Sequence, residues 1–117
     1  MILGIGVDIV SNCRFDSKPE GFLEKIFTPG ELASSLSAPN KSEFFASRFA
    51  AKEAFAKALG SGFRGIQPVD IEVCSDELGK PYIKLLKGDC SGCVFHLSLS
   101  HERESSVAMV VIEDGKK

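Results

Sequence analysis

Residues 44–59 read FFASRFAAKEAFAKAL, a run of helix-favouring residues that contains neither glycine nor proline. At about 100° per residue, the large apolar side chains share one broad face, which holds Phe44, Phe45, Phe49, Phe55 and Leu59. Arg48 and Lys52 project from within this face. The opposite side is mostly alanine, with Glu53 and Lys57 on its flank. The pattern predicts a helix packed nearly all round, whose charged side chains need partners such as a bound anion or a bound metal ion.

The composition favours one globular domain over residues 1–117, with 44% hydrophobic and 26% charged residues. The net charge of −2 argues against nonspecific nucleic-acid binding. No apolar run reaches the roughly 20 residues that span a bilayer. The apolar N-terminus carries Asp8 and lacks the basic segment of a signal peptide. We therefore expect a cytoplasmic protein without a membrane partner, whose cysteines are reduced thiols: Cys13, Cys74, Cys90 and Cys93.

The predicted elements begin with a buried strand over residues 2–10, in which Gly4 and Gly6 expose the backbone on one face. Thr28, Pro29 and Glu31 form the capping box of a helix that ends near residue 36. We expect Ser42 to cap the long helix and Gly60 to end it. Two hairpins follow, with strands over residues 69–74, 82–86, 94–100 and 106–112. This order predicts an α+β fold, with an antiparallel sheet of the N-terminal strand and both hairpins packed around the long helix.

Two carboxylates are candidate metal ligands, and each has a simpler alternative. Asp8 lies in an otherwise apolar strand, where it either reaches water at the strand end or binds a metal ion. Glu53 either pairs with Lys57 one helical turn on, which contributes about 0.3–0.5 kcal/mol, or is the second ligand of the same ion. Mg²⁺ suits such a site, because it binds one or two protein carboxylates together with substrate phosphates. Arg48, Lys52 and Lys57 would then follow one side of a phosphate-bearing ligand.

A histidine and a cysteine pair leave further alternatives open. His101 follows an alternating strand, and it is either a surface residue or a phosphate donor. Cys90 and Cys93 form a C-x-x-C motif, which is weak evidence by itself. A redox motif is expected at the start of a helix, whereas a strand follows this one. A zinc site with His96 and His101 would need a much wider spacing. We therefore expect a loop that carries two thiols.

Two segments resemble the paired signatures of the 4′-phosphopantetheinyl transferases: Ile-Gly-Val-Asp at residues 5–8 and RFAAKEAFAK at residues 48–57. Further landmarks recur in order along nearly the whole chain, at residues 27–31, 60–62, 70–72, 79–81 and 98–101. They make the chain similar to the small bacterial holo-acyl-carrier-protein synthase group. The resemblance implies a Mg²⁺-dependent enzyme of fatty acid biosynthesis. Such an enzyme transfers the phosphopantetheine arm of coenzyme A to a serine of apo-acyl carrier protein and releases adenosine 3′,5′-bisphosphate.

The resemblance also implies a role for individual residues. Asp8 and Glu53 match the magnesium ligands. Glu31 matches an acidic position that acts through metal-bound water or deprotonates the serine, and Lys57 matches a catalytic phosphate-binding lysine. Arg14 matches a residue that docks the carrier protein. The coenzyme A side would comprise Arg48, Lys52, Lys57, Ser61, Gly62 and His101. A homotrimer with its sites at the subunit interfaces is expected.

Two function classes compete with this hypothesis. One is a noncatalytic module that binds coenzyme A or a nucleotide, and the other is a thiol or zinc protein that uses Cys90 and Cys93. Retention of both Asp8 and Glu53 argues against the first, because cations and backbone amides suffice for phosphate binding. Intact transferase activity after replacement of both cysteines by serine would exclude the second.

Overall fold

The long helix predicted from residues 44–59 forms the centre of the structure. The structure is a computed structural model, and it describes residues 1–60, 62–90 and 92–115. Strand β1 (Ile2–Ser11) comes first, followed by the short helices α1 (Glu20–Leu23) and α2 (Pro29–Ser35). Helix α3 (Lys41–Leu59) is the long helix. After a 3₁₀ turn at Pro68–Asp70 come the strands β2 (Ile71–Ser75), β3 (Pro81–Leu85), β4 (Cys93–His101) and β5 (Ser105–Asp114).

All strand pairs in the described part of the chain are antiparallel, and they divide into two sheets. The larger sheet has the order β1-β5-β4, and β2 pairs with β3 in a separate hairpin. The register places Asp8 and Leu99 on either side of Ala108 in β5. The predicted α+β class and both hairpins are confirmed. The strands form two sheets rather than one, because β3 lies beside β4 without pairing with it.

Helix α3 approaches β1 more closely than ordinary side chains would allow. A Cβ atom on Gly4 would collide with the carbonyl oxygen of Ala58, and one on Gly6 would collide with that of Ala54. Ala54 and Ala58 are buried in the same interface. Small residues on both elements therefore permit this close packing. This close approach brings Val7 and Asp8, which follow Gly6 in β1, near the last turns of α3.

Phenylalanine rings fill the other side of α3. The ring of Phe15 lies 5.2 Å from that of Phe49 and 5.3 Å from that of Phe27, both in edge-to-face geometry. Phe55 packs against Phe95 of β4 at a centroid distance of 5.0 Å. Such pairs add about 0.5–1.5 kcal/mol each beyond the area that they bury. The helix is thus fixed on both sides and can hold charged side chains in defined positions.

The helix ends follow the predictions, with one exception. The capping box of α2 is present, with reciprocal hydrogen bonds between Thr28 and Glu31. Gly60 ends α3 in the left-handed region at φ 83°. The prediction that Ser42 caps α3 was wrong, because Asn40 accepts the hydrogen bond from the Glu43 amide at 3.1 Å. The hydroxyl of Ser42 instead donates to Asp16 at 2.5 Å.

The expectation of four reduced thiols was also wrong. Cys90 and Cys93 are joined by a disulfide, because a turn brings their Cα atoms within 5.5 Å of each other. Cys13 and Cys74 are free. Within the described ranges, no helix is long and apolar enough to cross a membrane.

Candidate active site

Charged side chains meet where β1 passes the second half of α3. Lys57 donates from its Nζ to the carbonyl oxygen of Val7 at 3.0 Å and to Oδ1 of Asp8 at 3.2 Å. The Lys57 side chain is 55% exposed, whereas that of Asp8 is only 18% exposed. Lys57 therefore pairs with Asp8 across the two elements, and its ammonium group remains open to solvent on one side.

Glu53 completes this cluster one helical turn before Lys57. Burial raises the pKa of the Glu53 carboxyl, and the negative charge of Asp8 raises it further. The positive charges of Lys57 and Arg14 act in the opposite direction. The two carboxylates are thus close enough to repel each other, and cations flank them. We call Asp8, Glu53, Lys57 and Arg14 the charged cluster.

The charged cluster fits a magnesium ion. Carboxylate oxygens are the ligands that Mg²⁺ prefers, and a divalent cation between Asp8 and Glu53 would relieve their repulsion. Across residues 1–60, 62–90 and 92–115, no group of three or more potential ligands occurs. Asp8 and Glu53 would supply two oxygen ligands, and water and phosphate oxygens would supply the others. This division is normal for Mg²⁺ at phosphate sites.

Glu31 and Lys52 lie apart from the charged cluster, and they pair with each other. Both side chains are fully buried, and Lys52 Nζ lies 2.7 Å from Glu31 Oε1. The other carboxylate oxygen of Glu31 accepts a hydrogen bond from the amide of Val73 at 2.7 Å. Burial lowers the pKa of Lys52, whereas Glu31 raises it. In this structure, neither side chain has exposed surface.

Arg48 lies in a groove on another side of α3. Its guanidinium stacks over the Phe44 ring at 4.1 Å and donates to the hydroxyl of Ser47 at 3.1 Å. Its Nε is buried and has no hydrogen-bond partner within the described part of the chain. Burial lowers the pKa of Arg48, and Glu31 and Glu43 raise it. The groove has a volume of about 420 Å³ and also contains Asn40 and Ser75. An anion in this groove would give Nε the acceptor that it lacks.

His101 ends β4 beside the first turn of α3. Its Nδ1 lies 3.0 Å from Oε2 of Glu43, and both side chains are partly exposed. Glu43 also lines the groove of Arg48, so His101 and Arg48 belong to the same end of the helix. Sequence reasoning missed Glu43, although an acidic residue in the first turn of a helix is a recognisable feature.

The remaining predicted residues are less informative. Gly62 follows α3 at φ 63°, and its amide donates to the carbonyl of Ala56 at 3.3 Å. Ser61 lies outside the described residues. Arg14 lies over the ring of Phe49 at 5.1 Å, at the edge of the charged cluster. The structure therefore groups Asp8, Glu53, Lys57 and Arg14, and it separates them from the residues of the groove.

Comparison with known proteins identifies the family. A model of the 4′-phosphopantetheinyl transferase superfamily matches residues 4–111, which include most of β1, the whole of α3, the first hairpin and most of the second. The chain belongs to this superfamily. The resemblance inferred from residues 5–8 and 48–57 is thus confirmed by an independent comparison.

Individual relatives agree with the superfamily assignment. The chain is 47% identical to the holo-[acyl-carrier-protein] synthase of Halothermothrix orenii, in an alignment that covers 98% of this chain and all of the relative. It is 49% identical to that of Geobacillus kaustophilus, with 97% and 90% coverage. A crystal structure of the Bacillus anthracis enzyme in complex with CoA (3′,5′-ADP) has a TM-score of 0.86 at 39% identity, with 97% and 98% coverage. The Helicobacter pylori enzyme in complex with coenzyme A has a TM-score of 0.78 at 30% identity, with 93% and 99% coverage.

Proposed function

We propose that this superfamily member is a Mg²⁺-dependent holo-acyl-carrier-protein synthase. It transfers the phosphopantetheine arm of coenzyme A to a serine of apo-acyl carrier protein and releases adenosine 3′,5′-bisphosphate. The observation that carries the proposal is the charged cluster, in which two carboxylates and an exposed lysine meet at the contact of β1 and α3. Relatives that bind coenzyme A share this fold over nearly the full chain.

The chemistry requires charge neutralisation more than covalent participation by the protein. Asp8 and Glu53 would hold Mg²⁺, which when bound neutralises charge on the pyrophosphate. Lys57 has its ammonium group partly in solvent, so it can turn from Asp8 to a phosphate oxygen when the substrate binds. A lysine at this position stabilises the negative charge that develops on the leaving phosphate. Arg14, at the edge of the cluster, is available to the acidic carrier protein.

The proposal includes a composite site formed between copies of the chain. Arg48 and Glu53 are five positions apart, so they point about 140° apart around α3. Glu43, the partner of His101, lies fourteen residues before Lys57, which is about 21 Å along the helix. We therefore expect each site to combine the charged cluster of one copy with the groove of Arg48 and the nearby His101 of another copy. A homotrimer, as expected from the family, would bring three such pairs together.

An exposed apolar stripe supports this assembly. Ile5, Val7 and Ile9 of β1 are each more than half exposed, and Met109 of β5 lies beside them. Their side chains share one face of the larger sheet, opposite the face that α3 covers. Contiguous apolar patches on small domains commonly mark subunit interfaces. Light scattering should therefore give a mass of three chains, and Val7→Asp should reduce this mass.

We also propose that the enzyme acts in fatty acid biosynthesis and that it is located in the cytoplasm.

Intact-mass spectrometry tests the activity. Apo-acyl carrier protein incubated with this protein, coenzyme A and Mg²⁺ should gain the mass of one phosphopantetheine group. The gain should be lost with EDTA and with Glu53→Gln, and kept with the matched control Glu77→Gln, whose side chain is exposed in a turn. Coenzyme A binding without a mass gain, with several carrier proteins, would instead support a noncatalytic module. Loss of the gain in a folded Cys90→Ser/Cys93→Ser variant would support a thiol protein.

A further inference from the structure

The disulfide between Cys90 and Cys93 has no part in the proposed transfer. Its Cα atoms lie 5.5 Å apart, within the usual range for disulfides. The backbone holds this distance, since the amide of Cys93 donates to the carbonyl of Cys90 at 3.0 Å. Gly92 adopts the φ of 76° that the turn requires and that favours glycine. The two sulfur atoms would therefore remain neighbours after reduction.

Backbone hydrogen bonds hold the Cys93 side of the pair without help from the sulfur atoms. The amide of Gly115 donates to the carbonyl of Gly92 at 2.7 Å, and Cys93 is paired with Asp114 of β5. These bonds anchor Cys93 to the end of the larger sheet and do not depend on the disulfide.

Two features make this disulfide reactive rather than purely structural. It closes a ring between residues only three positions apart, so it restricts the unfolded chain much less than a disulfide across a long loop. Cys90 and Cys93 each keep part of their surface exposed, although both also pack against the edge of the hydrophobic core. Disulfides that retain exposed surface and contribute little to the fold are those that exchange with solution thiols.

A metal site does not explain the pair. His96, the nearest histidine in sequence, has its Nε2 3.0 Å from Oε1 of Glu113 on the exposed face of β4. Within the described ranges, no cluster of three potential ligands includes either cysteine. Of the other cysteines, Cys13 follows β1, and Cys74 lies on β2 with its sulfur 3.6 Å from Glu72. Thiol–disulfide exchange is the chemistry that a neighbouring pair of cysteines can undergo.

We propose that Cys90 and Cys93 form a reversible thiol–disulfide exchange site for low-molecular-weight thiols and disulfides. In reduction, the thiolate of a small thiol attacks one sulfur atom, breaks the Cys90–Cys93 bond and forms a mixed disulfide; the released thiolate takes a proton. A second small thiol then displaces the first, which yields two cysteine thiols and one small-molecule disulfide. Oxidation is the reverse, with the small-molecule disulfide as the two-electron acceptor. This site is independent of the proposed transferase activity.

The experiment uses Cys13→Ser/Cys74→Ser, which leaves only this pair. The protein is equilibrated at fixed ratios of reduced to oxidised glutathione, alkylated with N-ethylmaleimide and weighed by mass spectrometry. We expect species with no alkyl group and with two. The ratio of reduced to oxidised protein should follow the square of the reduced glutathione concentration divided by the oxidised glutathione concentration. A parallel series with coenzyme A and its disulfide distinguishes a general thiol site from one that prefers coenzyme A.

Single variants test whether the sulfur atoms are reachable. In the same background, Cys90→Ser and Cys93→Ser should each acquire one glutathione from oxidised glutathione, whereas Cys90→Ser/Cys93→Ser should acquire none. A pair that stays fully oxidised or fully reduced across the range would overturn the proposal. So would single variants that remain unmodified. If the background variant does not fold, peptide mapping of the alkylated wild-type protein gives the same answer for each cysteine.

Discussion

Replacement of Lys52 by methionine should destabilise the fold by about 3–5 kcal/mol, the usual cost of removing one partner from a buried ion pair. Methionine keeps most of the side-chain volume but removes the charge and every donor. Lys52 Nζ contacts Oε1 of Glu31 at 2.7 Å and three carbonyl oxygens at 2.7–2.9 Å. The substitution therefore leaves the Glu31 carboxylate buried with backbone amides as its only partners in the described structure. A loss of this size is a large part of the 5–15 kcal/mol typical of a domain.

Urea unfolding followed by circular dichroism measures this loss. With a slope near 2 kcal/mol per molar, a loss of about 4 kcal/mol lowers the midpoint by about 2 M. Lys57→Met is the matched control, because its partly exposed pair with Asp8 should contribute less than about 1 kcal/mol. All variants are compared at one protomer concentration, since assembly would add to the apparent stability.

A double-mutant cycle tests the physical reason. Glu31→Gln removes the uncompensated charge, so Lys52→Met/Glu31→Gln should lose less stability than the sum of the two single changes, by about 0.5–3 kcal/mol. The reasoning would be refuted if Lys52→Met unfolded within 1 kcal/mol of the wild-type protein. Strict additivity in the cycle would refute it as well.

Three further predictions concern the packing and the site. Gly6→Ala should prevent the close approach of β1 to α3, because its Cβ meets the carbonyl of Ala54. The midpoint of thermal unfolding should therefore fall. The control Gly21→Ala, at an exposed position with open space around it, should leave the midpoint nearly unchanged. Arg48→Ala should weaken coenzyme A binding by roughly 10–100-fold, the value of one or two charged hydrogen bonds, as titration calorimetry would measure; unchanged affinity would remove Arg48 from the ligand site. Because the pKa of Glu53 is raised in the folded protein, ionisation of this carboxyl lowers the stability of the metal-free protein as the pH rises through that pKa. As the pH falls through the same pKa, protons displace Mg²⁺ from the carboxylate. The thermal stabilisation by Mg²⁺ should therefore decline toward acidic pH and be absent in Glu53→Gln at every pH; equal stabilisation of both proteins would place the metal elsewhere.

The sequence could predict those features that depend on local periodicity and end signals. The spacing of phenylalanine and alanine on α3, together with Gly4 and Gly6, predicts which sides of the helix are packed and how closely. The Thr28 and Glu31 capping box depends on residues only three positions apart. Asn40 and Ser42 are both good caps, so local rules could not choose between them.

The partners of buried charges depend on contacts that no local pattern specifies. Periodicity places Lys52 in the apolar face of α3 but does not show that Glu31, twenty-one residues earlier, meets it there. The same pattern places Glu53 and Lys57 on a flank, where their nearness to Asp8 depends on how β1 packs across the helix. The disulfide depends on a turn at Gly92 that the motif alone does not specify. Arg48 is separated from the charged cluster because Arg48 and Glu53 point in different directions around α3. Their spacing in the sequence predicts this separation once Glu53 is known to belong to the cluster.

The most direct test of the central claim measures both products of the transfer in one time course. With Mg²⁺ present, each phosphopantetheine group gained by apo-acyl carrier protein should be matched by one molecule of adenosine 3′,5′-bisphosphate, resolved by chromatography. Glu53→Gln should produce neither product, while it remains folded. Holo-carrier protein formed equally fast by Glu53→Gln, or release of adenosine 3′,5′-bisphosphate without modified carrier protein, would contradict the account.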